Sequence, residues 1–206
     1  MRHVQVAVFA TAPLPGFANK RLIPSLGPCG AGRLQRQLTQ VAVRCALDAC
    51  LGPVTLWCTP HNQHRFFRAL NRTSGVNCFV HSTGNLGNRT HVAFRLHCTR
   101  GPVLVIGTDC PVLRPEQLRI AAQALIDGDD AVFYPTDDGG YAAVGLRRPQ
   151  AGLFVDMTSG TADVMSQARG RAHALGLRVR EPETLWNVSV PADLARLDAL
   201  GLGAAP

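Results

Sequence analysis

The sequence predicts an α/β protein: one three-layer α/β/α domain over residues 1–206, with a mostly parallel sheet covered by helices on both faces. Three observations predict it. Short apolar, β-branched segments alternate with helix-length segments along the chain, with no internal repeat or low-complexity linker between them. Two of those segments, 102–106 and 131–134, are continuously apolar, as strands buried on both faces are. The chain is 206 residues long, 46% hydrophobic and 17% charged, which suits one domain with a real core.

The elements follow in order. Residues 4–10 alternate as a first strand, and Pro13, Pro15 and Gly16 then break the chain into a loop. Residues 31–51 read as a long helix, because Leu34, Leu38, Val41, Ala42 and Leu47 recur near a 3.6 period. A second strand at 54–58 and a helix near 62–70 come next, then a third strand at 76–80 and a helix at 88–98. The buried strand 102–106 precedes a helix at 115–126 that has Pro115 in its first position. Strands at 131–134 and 141–146 flank a Gly-Gly turn. Helices at 161–175 and 191–200, with an extended piece at 177–180, complete the pattern.

Composition narrows the function classes. There are 21 Lys and Arg against 14 Asp and Glu, and Lys20 is the single lysine. The arginines are scattered through many elements, and 6% aromatic residues leave few stacking platforms, so a nucleic-acid partner is not expected. No run approaches the roughly 18 apolar residues of a membrane span. The first residues lack the parts of a signal peptide, so a cytoplasmic protein is expected. Seven cysteines, an odd number without a C-x-x-C, speak against a disulfide framework or a zinc ribbon. His61 and His64 have metal-ligand spacing but no paired cysteines, and the triplets at Asn71, Asn88 and Asn187 match the glycosylation signal without an export signal.

In such sheets ligands bind beyond the carboxyl ends of the strands, so the loops there carry the functional reading. The first, residues 11–22, closes on Lys20 and Arg21. It suits a phosphate through backbone N–H groups and an arginine fork, or it is an ordinary basic surface loop. It has neither the Walker A nor the G-x-G-x-x-G spacing. The second, residues 81–89, places Gly84, Asn85 and Arg89 where a helix begins, which favours an anion or merely caps the helix. The third, Gly107-Thr108-Asp109, puts a carboxylate at the end of a buried strand. That is costly without a partner or a hard cation such as Mg²⁺ or Mn²⁺. The fourth, Asp137-Asp138-Gly139-Gly140-Tyr141, is a tight turn with two carboxylates, one of which could orient or deprotonate a hydroxyl. Together the four loops describe a site for a nucleotide-bearing ligand with a divalent ion.

Four motifs in this order, residues 9–22, Gly84-Asn-Leu-Gly-Asn-Arg89, Ile106-Gly-Thr-Asp-Cys-Pro111 and Asp138-Gly-Gly-Tyr141, resemble bacterial GT-A-like glycosyltransferases related to those of arsenosugar biosynthesis. The resemblance runs from about residue 4 to 198. More distantly, the first loop is similar to that of molybdenum-cofactor and phospholactate nucleotidyltransferases. The resemblance implies a nucleotide-diphospho-sugar transferase fold and a cytoplasmic transferase that moves a sugar from a nucleotide-sugar to the hydroxyl of a small-molecule acceptor. It implies that Ala10, Thr11, Ala12, Pro13, Gly16, Lys20 and Arg21, with Gly84, Asn85 and Arg89, hold the nucleotide and its phosphates. Asp109, aided by Asn187, would hold Mg²⁺ or Mn²⁺. Asp138 would act as base on the acceptor side, beside Asp137, Gly139, Gly140, Tyr141 and Thr161. Departures are equally clear: Thr11 stands where the family has Lys, Asn19-Lys20 where it has Lys-Thr, Asn85 where it has Asp, Ser159-Gly160-Thr161 where it has Trp-Ser-Thr, and Asn187-Val188-Ser189 where it has Asp-Val-Asp. They keep two other readings open: a nucleotidyltransferase, and a nucleotide-binding protein without catalysis.

Overall fold

The structure is a computed structural model and describes residues 3–82, 84–99, 101–154, 157 and 163–202. Seven strands form one sheet: β1 (Gln5–Thr11), β2 (Val54–Thr59), β3 (Asn77–Val80), β4 (Val103–Ile106), β5 (Ala131–Pro135), β6 (Tyr141–Leu146) and β7 (Val179–Arg180). Their order is β3-β2-β1-β4-β6-β5-β7. All pairs are parallel except those of β6, which runs antiparallel to both β4 and β5. The chain builds outward from β1 through β2 to β3, then returns to the other side of β1 to lay down β4. A crevice therefore opens between β1 and β4, where the strand order reverses. Because β6 is antiparallel, its first residue, Tyr141, lies at the same edge as the last residues of β1 and β4.

The helices are α1 (Ile23–Asp48), α2 (Arg65–Ser74), α3 (Leu86–His97), α4 (Pro115–Asp127), α5 (Ala151–Phe154), α6 (Val164–Ala174) and α7 (Leu194–Ala199). Alternate strand residues feed two cores. Val6, Val8, Leu56, Leu104, Ile106, Val132 and Tyr134 pack under α1, α2 and α4. Ala7, Trp57, Val103, Val105, Phe133 and Val144 pack under α3, α5 and α6. This is the three-layer sandwich expected from the alternation of elements. A third cluster joins Leu22, Leu34 and Leu38 to Val188 and Leu197, so α7 and the segment before it lie against the outer side of α1.

Several boundaries differ from expectation. Helix α1 starts at Ile23 rather than residue 31, because its first turn holds Pro24 and the chain then kinks at Gly27 (φ 66°, ψ 167°) just before Pro28. A residue preceding proline is pushed out of the helical region, and only glycine takes this φ without strain, so Gly-Pro interrupts the helix without ending it. The four-residue α5 was not foreseen. The last helix is a 3₁₀ turn at Pro191–Asp193 followed by α7. Residues 159–161, including the acceptor-side candidate Thr161, lie outside the described residues.

Candidate functional site

The crevice is floored by residues that hold the loops in register. Ala12 N–H donates to the Thr59 carbonyl (2.7 Å), and the chain turns back through Leu14 so that Asn19 can donate to the Ala31 carbonyl (3.3 Å). On α1, the buried Gln35 amide donates to the Thr108 hydroxyl (3.0 Å) and to Thr39 (3.2 Å), which pins the Gly107-Thr108-Asp109 loop to the helix. A buried amide with two partners is a firm tie, since breaking either leaves a polar group unsatisfied. The segment 185–189 runs along both remaining loops. Leu185 N–H donates to Pro135 and Val188 N–H to the carbonyl of Asp109 (2.8 and 2.7 Å), which brings Asn187 and Ser189 beside the two carboxylates.

Two clefts meet there. The first, of about 310 Å³, is lined by Ala10 and Thr11, by Phe9, Phe17 and His81, and by Arg89 and Thr90 of α3. The second, of about 650 Å³, is lined by Arg21, Asp137, Asp138, Gly140, Asn187, Ser189 and Asp193. Asp109, Leu86 and Tyr141 line both. One cleft is thus aromatic and cationic, the other acidic, and Asp109 stands at their junction.

The four aspartates of the second cleft have different surroundings. Asp137 pairs with Arg196 (2.8 Å), whose guanidinium lies 4.2 Å from the Trp186 ring centroid. Asp193 accepts from the N–H groups of Ser189 and Val190 (2.8 and 2.9 Å) and so caps the last helical segment. Asp138 accepts from the Thr136 hydroxyl (2.6 Å), the Gly140 N–H (3.2 Å) and the Ser189 hydroxyl (3.0 Å). Burial works against its charge, but these donors, with Asn187, outweigh it and hold its carboxyl below the ordinary carboxylate range. Asp109 goes the other way: burial raises it, its own backbone N–H opposes, and the charge of Asp138 raises it further. A cation between the two carboxylates would relieve both penalties.

Asn187 shows whether the residues fit a cation. It is 7% exposed, and its Nδ2 donates to Thr136 Oγ1 (3.4 Å), which in turn donates to Asp138. That relay fixes which way the amide faces and leaves its buried Oδ1 without a partner. A buried carbonyl oxygen of this kind costs about 1–3 kcal/mol unless something fills the place. Asp109, Asp138 and Asn187 Oδ1 are hard oxygen donors of the type Mg²⁺ or Mn²⁺ takes when phosphates complete its coordination. Among the described residues no three His, Cys, Asp or Glu side chains form a metal-binding group; one or two carboxylates with phosphates are a usual set for Mg²⁺.

The structure separates the sequence candidates. Ala10, Thr11, Arg89, Asp109 and Tyr141 line the first cleft, and Arg21, Asp137, Asp138, Gly140 and Asn187 the second. Ala12, Pro13, Gly16, Lys20, Gly84, Asn85 and Gly139 line neither. Lys20 is exposed, with its ammonium 5.7 Å from the Phe17 ring centroid. Asn85 caps α3, its side-chain oxygen accepting from Asn88 N–H (2.9 Å). Gly139, at φ 82°, makes the turn that aims Asp138. Sequence reasoning passed over Gln35, met Ser189 only as a departure where the resembled family has Asp, and met Phe17, His81 and Thr108 only as members of their loops. Gln35 carried a signal, a polar residue beside the apolar stripe of α1. Ser189 carried a signal only through that departure, and its hydroxyl reaches Asp138 only because of where segment 185–189 lies.

The fold is that of the nucleotide-diphospho-sugar transferases. A Desulfovibrio desulfuricans protein provisionally described as a nucleotide-diphospho-sugar transferase superposes with a TM-score of 0.83 at 20% identity, over 97% of each chain. A CMP:2-keto-3-deoxy-manno-octonic acid synthetase complexed with CTP gives 0.64 at 13% identity, over 97% of this chain and 98% of that one. A 4-diphosphocytidyl-2C-methyl-D-erythritol synthase from Anaerococcus prevotii gives 0.62 at 12% identity, over 96% of each. No curated protein matches the sequence. The chain belongs to the bacterial family DUF2064, described as an uncharacterized protein conserved in bacteria, whose profile matches residues 42–161.

Proposed function

We propose that the chain transfers a sugar from a nucleotide-sugar to the hydroxyl of a small-molecule acceptor, with the nucleotide in the first cleft and the acceptor in the second. The observation that carries this reading is the junction: Asp109 lines both an aromatic, cationic cleft and an acidic one, and the acidic one also holds Asp138 and the unpartnered Asn187 Oδ1. A ligand with a diphosphate in its middle suits that arrangement. Asp109 and Asn187 would hold a divalent ion, which, bound to the donor diphosphate, neutralises charge developing on the leaving group. Arg21, on the acidic side, adds positive charge near the same phosphates. Asp138 stays ionised and accepts a hydrogen bond from the acceptor hydroxyl. The donors that keep it ionised also make it a weaker base than the resemblance implied, so its contribution is chiefly orientation. In the step itself the bond from the sugar's anomeric carbon to the diphosphate oxygen breaks, and one to the acceptor oxygen forms. The nucleoside diphosphate departs with the electron pair, and the acceptor's proton passes by way of Asp138 to solvent water.

Nucleotidyl transfer is the second reading. It is favoured by the structural likeness to the two synthetases, whose names describe cytidylyl products or a bound CTP. It asks for a firmer grip on a triphosphate than Thr11, Asn19 and an outward Lys20 provide. Incubating the protein and Mn²⁺ with nucleotide-sugars in one series and with nucleoside triphosphates and sugar phosphates in another separates them. Release of nucleoside diphosphate from a nucleotide-sugar supports glycosyl transfer. Pyrophosphate release from a triphosphate, with none of the first product, overturns it in favour of the second reading.

A further inference from the structure

We propose that Arg89 selects the base: the first cleft takes guanine or cytosine, which offer two adjacent hydrogen-bond acceptors to its guanidinium fork, in preference to adenine. The inference rests on the reading of that cleft as a nucleotide site. If the phosphates reach the junction at Asp109, which follows β4, the base lies toward β3 on the other side of β1, where His81 stands with Phe9 and Arg89. The Arg89 Nε is buried without a hydrogen-bond partner, and no carboxylate pairs with this guanidinium among the described residues. Its position adds to the oddity. It lies near the start of α3, where the helix dipole is positive and the first turn has no acidic residue, so nothing local stabilises a cation there. An acceptor-rich ligand would.

Aromatic rings line the same cleft. His81 stands edge-on to Phe9, with ring centroids 4.3 Å apart, and its Nδ1 is also buried and unpartnered. Burial, and then the charge of Arg89, lower its pKa to about 4, so the imidazole is neutral and serves as an aromatic wall. Phe17, 37% exposed, faces the cleft from the first loop. A volume of about 310 Å³ is at the small end for ligand pockets, which run from about 300 to 1,000 Å³, and suits a base with its ribose. Guanine presents O6 and N7 side by side, and cytosine O2 and N3. Adenine places its amino donor beside each of N7 and N1, so one arm of the fork meets a donor and stays unsatisfied. Uracil offers single carbonyls and falls between.

The test is isothermal titration of the whole chain, in Mn²⁺, with GDP, CDP, UDP and ADP. The expected result is GDP or CDP binding on the order of 10- to 100-fold more tightly than ADP. In Arg89→Met the four affinities should converge. In Arg89→Lys, which keeps the charge and loses the fork, they should also converge. Unchanged thermal unfolding of both variants shows that they are folded. Equal affinities in the wild type, a preference for ADP, or a uniform loss for all four nucleotides in Arg89→Met overturns the inference, the last by making Arg89 a phosphate contact. Any of these leaves the nucleotide reading standing. Failure of all four to bind the wild type overturns that reading itself, and base selection with it.

Discussion

At the scale of single residues, Asp138 and His81 carry charge states that the fold imposes in opposite ways. The native carboxyl of Asp138 titrates below its unfolded value, so the stability it contributes is present above the ordinary carboxylate range and is lost as pH falls through the native value. Removing donors with Thr136→Val and Ser189→Ala should move the acid limb of Mn²⁺-dependent activity to higher pH; an unmoved limb would show that another group sets it. His81 is neutral in the fold but charges more readily once unfolded, so stability should decline as pH falls from about 6.5 toward about 4. Replacing it with Phe removes up to about 3 kcal/mol of that decline, a gap that denaturant titrations at pH 7 and pH 4.5 would measure. Asp109 and Asp138 were legible in the sequence because scarce acids followed apolar runs inside turn chemistry. Asn187 was legible through the family resemblance alone. Its unpartnered oxygen depends on a relay through Thr136, and contacts between residues 51 apart leave no local pattern.

At the scale of elements, the order of strands and helices was readable because the central strands feed a core on each face of the sheet while most helices feed one. Periods of 2 and 3.6 record that directly. What stayed hidden were features set by packing rather than period. The kinked start of α1 reads as loop because Pro24, Gly27 and Pro28 are individually helix breakers. The antiparallel run of β6 follows from the short Thr136–Gly140 turn, where Thr136 N–H donates to the Gly140 carbonyl (3.0 Å). A two-sided apolar strand looks the same in either direction. The seating of α3 on α5 gives an element-scale prediction. A Cβ on the buried Gly87 would collide with the backbone carbonyl of Phe154, which has no flexible end to yield. Gly87→Ala should therefore cost about 1–3 kcal/mol in chemical denaturation and weaken nucleotide binding, because α3 carries Arg89. A stability equal to the wild type would mean that α3 and α5 do not pack as described.

At the scale of the whole molecule, the formal charge of +7 conceals a division. Four of the 14 acidic residues line one cleft at the carboxyl edge of the sheet, while the arginines are spread over many elements. The sequence count alone gave a basic balance with its arginines scattered through many elements, which spoke against a nucleic-acid partner. The fold points instead to a local contrast, acidic on one side of Asp109 and aromatic with Arg89 on the other. Among the described residues no helix is long and apolar enough to cross a membrane. In the proposed reaction a divalent ion held by Asp109 and Asn187 would couple to a nucleotide diphosphate in the adjoining cleft. Titration of a nucleoside diphosphate into the wild type and into Asp109→Asn, with and without Mn²⁺, tests it most directly. Mn²⁺ should tighten binding to the wild type on the order of tenfold or more, and this coupling should disappear in the variant. Nucleotide binding that is indifferent to Mn²⁺, or coupling that survives the loss of Asp109, would contradict it.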